Sequence, residues 1–345
     1  MRLLPLLLLA AVCLPLAIPA RAAAPPAPIG TGGAVSSADP AATVAGLEML
    51  RAGGNAVDAA VATALALAVV YPEAGNLGGG GFAVVRMGEQ VSTLDFREAA
   101  PAAARRDMYL DPKGEPIPQA SFVGPLASGV PGSPAGLHEL HRRHGKLPWP
   151  QVVAPAIRLA RAGLRVDRHL HEVLDQKKEV LARFPETARV WLRDGEAPPV
   201  GTVIPLPTLA ATLSAYAGQG PAALASGPLA AALEATSRKH GGILTAADLA
   251  AYRPVWRDPV LFEAFGWRFA SMPLPSSGGI ILGQTLGALE RLEWAKLPPL
   301  GAERHHLLTE VWRRAFADRY LLGDPGTTRA TAAQLLDPAW IGKRA

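Results

Sequence analysis

Residues 53–82 read GGNAVDAAVATALALAVVYPEAGNLGGGGF. From Ala56 to Tyr71 the segment is apolar or small nearly all round. No polar face can be drawn on a 3.6-residue period, so this predicts a helix buried on several sides. Its many alanines allow close approach to a sheet. Upstream, Asp39-Pro40 supplies an N-cap and a first helical residue for a helix running to about Arg51. Gly53-Gly54 ends that helix, because glycine tolerates the left-handed conformation required there. Downstream, Gly75–Gly81 hands over to a strand at Phe82–Arg86. Gln90–Phe96 pairs with it as a hairpin across a turn at Met87–Glu89.

The glycine run is the most conspicuous local feature. It passes from a helix into a strand and no lysine follows it. A phosphate loop or dinucleotide fingerprint needs the opposite order of elements, or a following Gly-Lys-Ser/Thr. What such a run does permit is close backbone approach, to a neighbouring strand or to a substrate.

Elsewhere the pattern predicts a short strand at Ala34–Ser37 and a strand within Glu263–Met272. Helices are expected near Ser133–Arg143, Trp149–Ala162, Arg168–Leu181, Thr208–Tyr216, Pro228–His240 and Ala302–Leu321. No linker composition interrupts residues 34–345, which read as one interdependent unit. Hydrophobic residues make up 49% of the chain and charged residues 18%, enough to bury a sizeable core.

The first 22 residues carry Arg2, an apolar run from Leu3 to Ile18 and the A-x-A site Ala20-Arg21-Ala22. They read as a secretory signal peptide, followed by a flexible leader at 23–33, which implies a periplasmic or secreted protein. The single cysteine, Cys13, lies inside that segment, so the mature chain is expected to have neither disulfide nor thiol chemistry. A net charge of +5 is mild for this length. No lysine/arginine block is interleaved with aromatics, which argues against nucleic acid as a partner.

Four clusters are candidates for chemistry. His138, His141 and His144 recur every third residue. On a helix the third is rotated about 120° from the first, so the row reads as a solvated face and not a metal site. Thr327-Thr328 sits in a turn-like GDPGTTRA. Ser276-Ser277 precedes Gly278-Gly279 without a G-x-S-x-G context. Asp95-Phe96-Arg97-Glu98 places an arginine between two acids at a strand end. That residue pattern fits a surface ion pair and a bidentate clamp on a substrate carboxylate equally well.

In order along the chain stand DPAATVAGLEMLRAGGNAVDAAVA, YPEAGNLGGGGF, LDFREAAP, ASGVPGSPAG, GGILTAADLAAY, SMPLPSSGGI and FADRYLLGDP. Together they resemble the large-subunit portion of the γ-glutamyltransferase (glutathione hydrolase) family, over about Ala34–Pro325. The resemblance implies an α+β fold, the αββα sandwich of N-terminal nucleophile hydrolases. It also implies a precursor that cuts itself, and a new N-terminal threonine that attacks the γ-glutamyl amide of glutathione. Water or an amino-acid or dipeptide acceptor then takes the glutamyl group. Of the family's substrate contacts, Arg97 maps onto the substrate α-carboxylate. The nucleophile is expected in the small subunit of the same precursor, beyond Ala345, so these residues alone are expected to be inactive. No cofactor and no metal are implied. Two other readings share these motifs: a related acylase acting on glutaryl-type or poly-γ-glutamate amides, and a catalytically dead partner chain.

Overall fold

Asp39 starts the first helix as its sequence suggests. Its carboxylate accepts the backbone N–H groups of Ala41 (2.7 Å) and Ala42 (3.3 Å) at the head of α1 (Pro40–Arg51). Asn55 does the same for α2 (Ala56–Val70), and the Asp58 carboxylate returns to the Asn55 N–H at 2.8 Å, closing a capping box. The structure, a computed structural model, describes residues 30–345. The expected signal peptide with Cys13, and the leader up to residue 29, lie outside the described residues. Val35–Ala345 packs as one unit.

α2 is the axis of the main core. Val61, Ala62, Leu65 and Ala66 have no exposed surface; the first three share a cluster with Leu94, Val152, Val153, Leu213 and Tyr216, and Ala66 packs with Ala42 and Ala45 of α1. Burying a Val- or Leu-sized side chain contributes about 1.5–3 kcal/mol, so this one helix organises much of the fold. β1 (Phe82–Met87) pairs antiparallel with β2 (Gln90–Asp95), Phe82 opposite Asp95 and Met87 opposite Gln90. Ala83, Val85 and Met87 pack on the core, whereas Phe82 and Val84 face outward and are exposed.

Ala34–Ser37, expected as a strand, is irregular. The Ser37 hydroxyl bonds the Asp39 carbonyl (2.9 Å) and the Thr43 hydroxyl (2.7 Å), which turns the chain into α1 instead of along a sheet.

After β2 the chain makes a long excursion and returns at Val130, where Ala99 and Val130 exchange hydrogen bonds of 3.2 and 2.8 Å. Within it the Asp111 carboxylate holds a tight turn through the Lys113 and Glu115 N–H groups. Next come α3 (Ser133–His144) and α4 (Trp149–Ala162). The buried Asp58 carboxylate reaches across from α2 to accept the N–H groups of Lys146 (3.0 Å) and Leu147 (3.2 Å), fixing the turn between α3 and α4.

β3 (Leu164–Arg165) pairs with β4 (Val203–Ile204) around α5 (Arg168–Ala182) and α6 (Pro185–Trp191). Helices α7 (Pro207–Gln219), α8 (Ala222–Ala225), α9 (Gly227–Lys239) and α10 (Ala246–Ala251) follow. They deliver β5 (Val255–Arg257) to the free side of β2, giving the order β1-β2-β5.

The strand expected within Glu263–Met272 is β7 (Trp267–Ser271), and it pairs as a hairpin with a preceding strand that the sequence reading did not include, β6 (Val260–Ala264). Phe265 (φ 52°) and Gly266 (φ 74°) form its two-residue turn. Both angles are positive, the geometry that matches strand twist in a tight hairpin. α11 (Gly278–Arg291), α12 (Ala302–Asp318), α13 (Ala332–Leu335) and α14 (Pro338–Arg344) complete the chain.

They meet at Asp318, which is 1% exposed. Its carboxylate accepts hydrogen bonds from Gln284 Nε2 (2.9 Å), Trp340 Nε1 (2.8 Å) and Arg344 Nε (3.1 Å), with a further contact to the Arg344 terminal nitrogen. Burial alone would raise this carboxyl, but the hydrogen bonds from Arg344, Trp340 and Gln284 outweigh it and hold the group below the usual carboxylate range. Among the described residues, no helix is long and apolar enough to cross a membrane.

Candidate active site

The DFRE segment leaves β2 at Asp95 and runs directly beneath the glycine loop. Phe96 and Gly81 exchange backbone hydrogen bonds of 3.0 and 3.1 Å, which extend the β1–β2 ladder by one step. The Phe96 ring is buried in the main core. A Cβ on Gly80 would stand 2.6 Å from both the Glu98 nitrogen and the Phe96 oxygen, so only glycine admits this backbone crossing. The Gly79 carbonyl accepts the N–H groups of Gly132 and Ser133, both at 2.9 Å, and so ties the loop to the first turn of α3. Gly132 is equally constrained. A Cβ there would overlap the Phe96 carbonyl oxygen and stand 2.5 Å from the Tyr252 hydroxyl.

Arg97 is therefore held by its backbone. Its N–H donates to Asp95 Oδ1 (3.1 Å), and its carbonyl accepts from the Tyr252 hydroxyl (2.8 Å). Asp95 cannot also neutralise the Arg97 side chain, because its Oδ2 is taken by Arg257, with Nε at 3.0 Å and the terminal nitrogen at 2.9 Å. Arg97 itself is exposed, and among the described residues its guanidinium pairs with no carboxylate. Of the two readings left open by the residue pattern, the surface ion pair is thus the one the geometry does not support. A planar guanidinium fork on a fixed backbone is what a ligand carboxylate needs for two parallel hydrogen bonds.

Beside this segment lies a largely apolar cavity of about 450 Å³, whose walls include Leu77, Gly78, Pro134, His138, Leu249 and Tyr252. Burial pushes the His138 imidazole down, and the neighbouring His141 adds to the effect. The Tyr252 phenol is pushed up by burial, with smaller contributions from the charges of Asp95 and Glu98.

The three histidines of α3 are not on a solvated face, contrary to the sequence expectation. All are half-buried. His138 and His141 pack against Trp149, with ring centroids 4.9 and 5.1 Å away, and His144 packs against Trp256 at 5.5 Å. The solvated side of α3 instead carries Arg142 and Arg143. Thr327 and Thr328 lie in a turn, where their hydroxyls bond the Asp324 carbonyl (3.3 Å) and the Ala330 carbonyl (2.7 Å). Ser276 Oγ accepts the Gly278 N–H (3.3 Å) and Ser277 Oγ accepts from Arg319 (3.2 Å). Neither serine is bonded to a histidine or a carboxylate among the described residues. Sequence reading missed the parts that hold Arg97, namely Tyr252, Arg257 and Gly132. The one available signal was that Gly132 and Tyr252 fall inside two of the collinear motifs, which had been given no role.

The chain's mixture of helices and strands is the α+β kind found in N-terminal nucleophile hydrolases. The gamma-glutamyltranspeptidase family profile matches residues 42–345, and the chain belongs to that family. It is 43% identical over 317 residues to a glutathione hydrolase proenzyme of Pseudomonas aeruginosa, covering 91% of this chain and 56% of the relative. It is 39% identical to the glutathione hydrolase proenzyme of Escherichia coli, covering 92% and 58%. The chain thus spans little more than half the length of these relatives. Among solved structures it superposes on Helicobacter pylori gamma-glutamyltranspeptidase with a TM-score of 0.90 at 35% identity, covering 92% of each chain.

Proposed function

We propose that the protein containing this chain hydrolyses glutathione and other γ-glutamyl amides, and transfers the glutamyl group to amino-acid or dipeptide acceptors. In this reading a precursor cuts itself, and the nucleophile is the new N-terminal threonine of a small subunit contributed by residues other than these. Its hydroxyl adds to the γ-amide carbonyl, its own α-amino group takes the proton, and backbone N–H groups stabilise the oxyanion. The amine leaves with a proton, an ester joins the glutamyl group to the threonine, and water or an acceptor amine cleaves that ester. The signal-like first 22 residues support export of the protein to the periplasm or beyond.

The observation that carries the reading is the Arg97 guanidinium, exposed and uncommitted while its backbone is held at both ends. In this role Arg97 binds the α-carboxylate of the donor. Lysine would lose the fork. The test is steady-state kinetics of Arg97→Lys and Arg97→Ala in the full-length protein with γ-glutamyl-p-nitroanilide. KM should rise by orders of magnitude in both. Unchanged kinetics would remove Arg97 from the site. Faster turnover of a glutaryl amide than of glutathione by the parent would favour the acylase reading.

A further inference from the structure

The motif GGILTAADLAAY contributes no residue to the chemistry above, yet the structure docks it at two points, one on the DFRE segment and one a few residues beyond it. Thr245 and Asp248 form a capping box that starts α10, with Asp248 Oδ2 accepting from the Thr245 N–H (2.9 Å) and hydroxyl (2.6 Å). The other oxygen of the same carboxylate accepts the Ala102 N–H at 2.8 Å, a few residues beyond Arg97. Burial works to raise the Asp248 carboxyl, but the bonds from Thr245 and Ala102 prevail and keep it below its usual range, which favours the charged acceptor. At the far end of α10, Tyr252 leaves the helix with its ring against a small cluster of Val130, Ala230, Leu244 and Leu249. Its hydroxyl donates to the Arg97 carbonyl and fits against Gly132, where a Cβ would stand 2.5 Å away. α10 is therefore a strut, anchored by its own core contacts, that sets the peptide following the Arg97 Cα.

We propose that Tyr252 is a positioning residue for Arg97. Its hydroxyl fixes the Arg97 carbonyl, and thereby the direction in which the guanidinium leaves the backbone, so that the fork meets a donor α-carboxylate. This rests on the Arg97 reading above. Without the hydroxyl, the carbonyl has water as its partner, the peptide rotates, and the guanidinium samples orientations that no longer give two parallel hydrogen bonds. A misplacement of about 1 Å in a binding group is enough for large kinetic losses. The effect belongs to the carboxylate contact and spares a donor that has none.

The experiment compares Tyr252→Phe, Arg97→Ala and the double variant in the full-length protein, with γ-glutamyl-p-nitroanilide and with 4-aminobutyryl-p-nitroanilide, which keeps the amino group and lacks the α-carboxylate. Tyr252→Phe keeps the ring and its packing, so folding is retained. A thermal melt checks this. For the γ-glutamyl donor, Tyr252→Phe should raise KM about fivefold to thirtyfold, with kcat within twofold, and should leave kcat/KM for the 4-aminobutyryl donor unchanged. In the Arg97→Ala background the same substitution should add nothing. Equal losses on both donors, or the full loss persisting without Arg97, would make Tyr252 a merely structural residue and overturn the proposal. If Arg97→Ala raises KM and Tyr252→Phe does not, the positioning role fails while the Arg97 reading stands. If Arg97→Ala itself leaves KM unchanged, both fall.

Discussion

Arg97 and Asp318 are both charged, both lie in motifs of the family, and the fold treats them in opposite ways. At Arg97 the backbone is committed and the side chain is free. At Asp318 the side chain is committed to three donor residues and is 1% exposed. A buried charge without partners is costly, so the fold surrounds Asp318 with Gln284, Trp340 and Arg344, and nothing is left over for a ligand. An exposed arginine has no such requirement. Holding its main chain rigid while leaving its head unpaired adds little to stability but reduces the ordering cost of binding a carboxylate. The difference teaches where to look for function in a motif: at the charge whose surroundings are satisfied without it.

The comparison breaks most directly by exchange of readouts. Arg97→Ala should raise KM for a γ-glutamyl donor about 100-fold, or about 2.8 kcal/mol, while its melting temperature stays close to the parent. Asp318→Ala should do the reverse. It takes the acceptor from the Trp340 Nε1–H and from one of the two Gln284 amide hydrogens, the Leu335 carbonyl keeping the other, and should cost about 2–4 kcal/mol of stability in denaturant titration, with KM near the parental value in the folded fraction. A stable Asp318→Ala, or an unstable Arg97→Ala, would erase the distinction.

Gly80→Ala lies between the two. The new methyl group meets backbone, not a flexible side chain. It should cost about 1–3 kcal/mol and also raise KM severalfold, because the Arg97 main chain is what shifts. The smallest effect is in pH. Asp318 has a folded pKa below its ordinary value of 3.8. Its contribution is therefore complete above that value and is lost as pH falls through the lower folded pKa. The stability gap between the parent and Asp318→Asn should be constant at neutral pH and should narrow below about pH 3.8. A gap that widens on acidification would reverse the sign and exclude a depressed carboxyl.

Legibility in the sequence followed the range of the interactions. Asp39 and the nearly all-apolar α2 act within a few residues, and both helices stand where the pattern predicts. The β6–β7 hairpin was hidden because its turn is Phe265-Gly266 and not the usual Asn-Gly or Asp-Gly. Only the folded strands force Phe265 to a positive φ. Ala34–Ser37 has strand-forming residues, but a strand is made by its partner, and Ser37 bonds forward into α1. The histidines of α3 misled because helical phase says which side each faces, not what lies there, and Trp149 and Trp256 come from elsewhere in the chain. Arg97 is singled out in the sequence by resemblance. The lock on its carbonyl comes from a residue 155 positions away, a distance over which no local pattern carries information.

The hydrogen-bonded pair Ala99–Val130 closes the long excursion at its base. The ends of that loop are thus fixed by backbone contacts made outside it, and the cost of closing a loop grows only slowly with its length. Its tip, where Phe122 is 85% exposed, is consequently a natural port for grafting: a tag, a reporter or a small folded module inserted near Gln119–Phe122 would hang from the molecule with its attachment geometry already set.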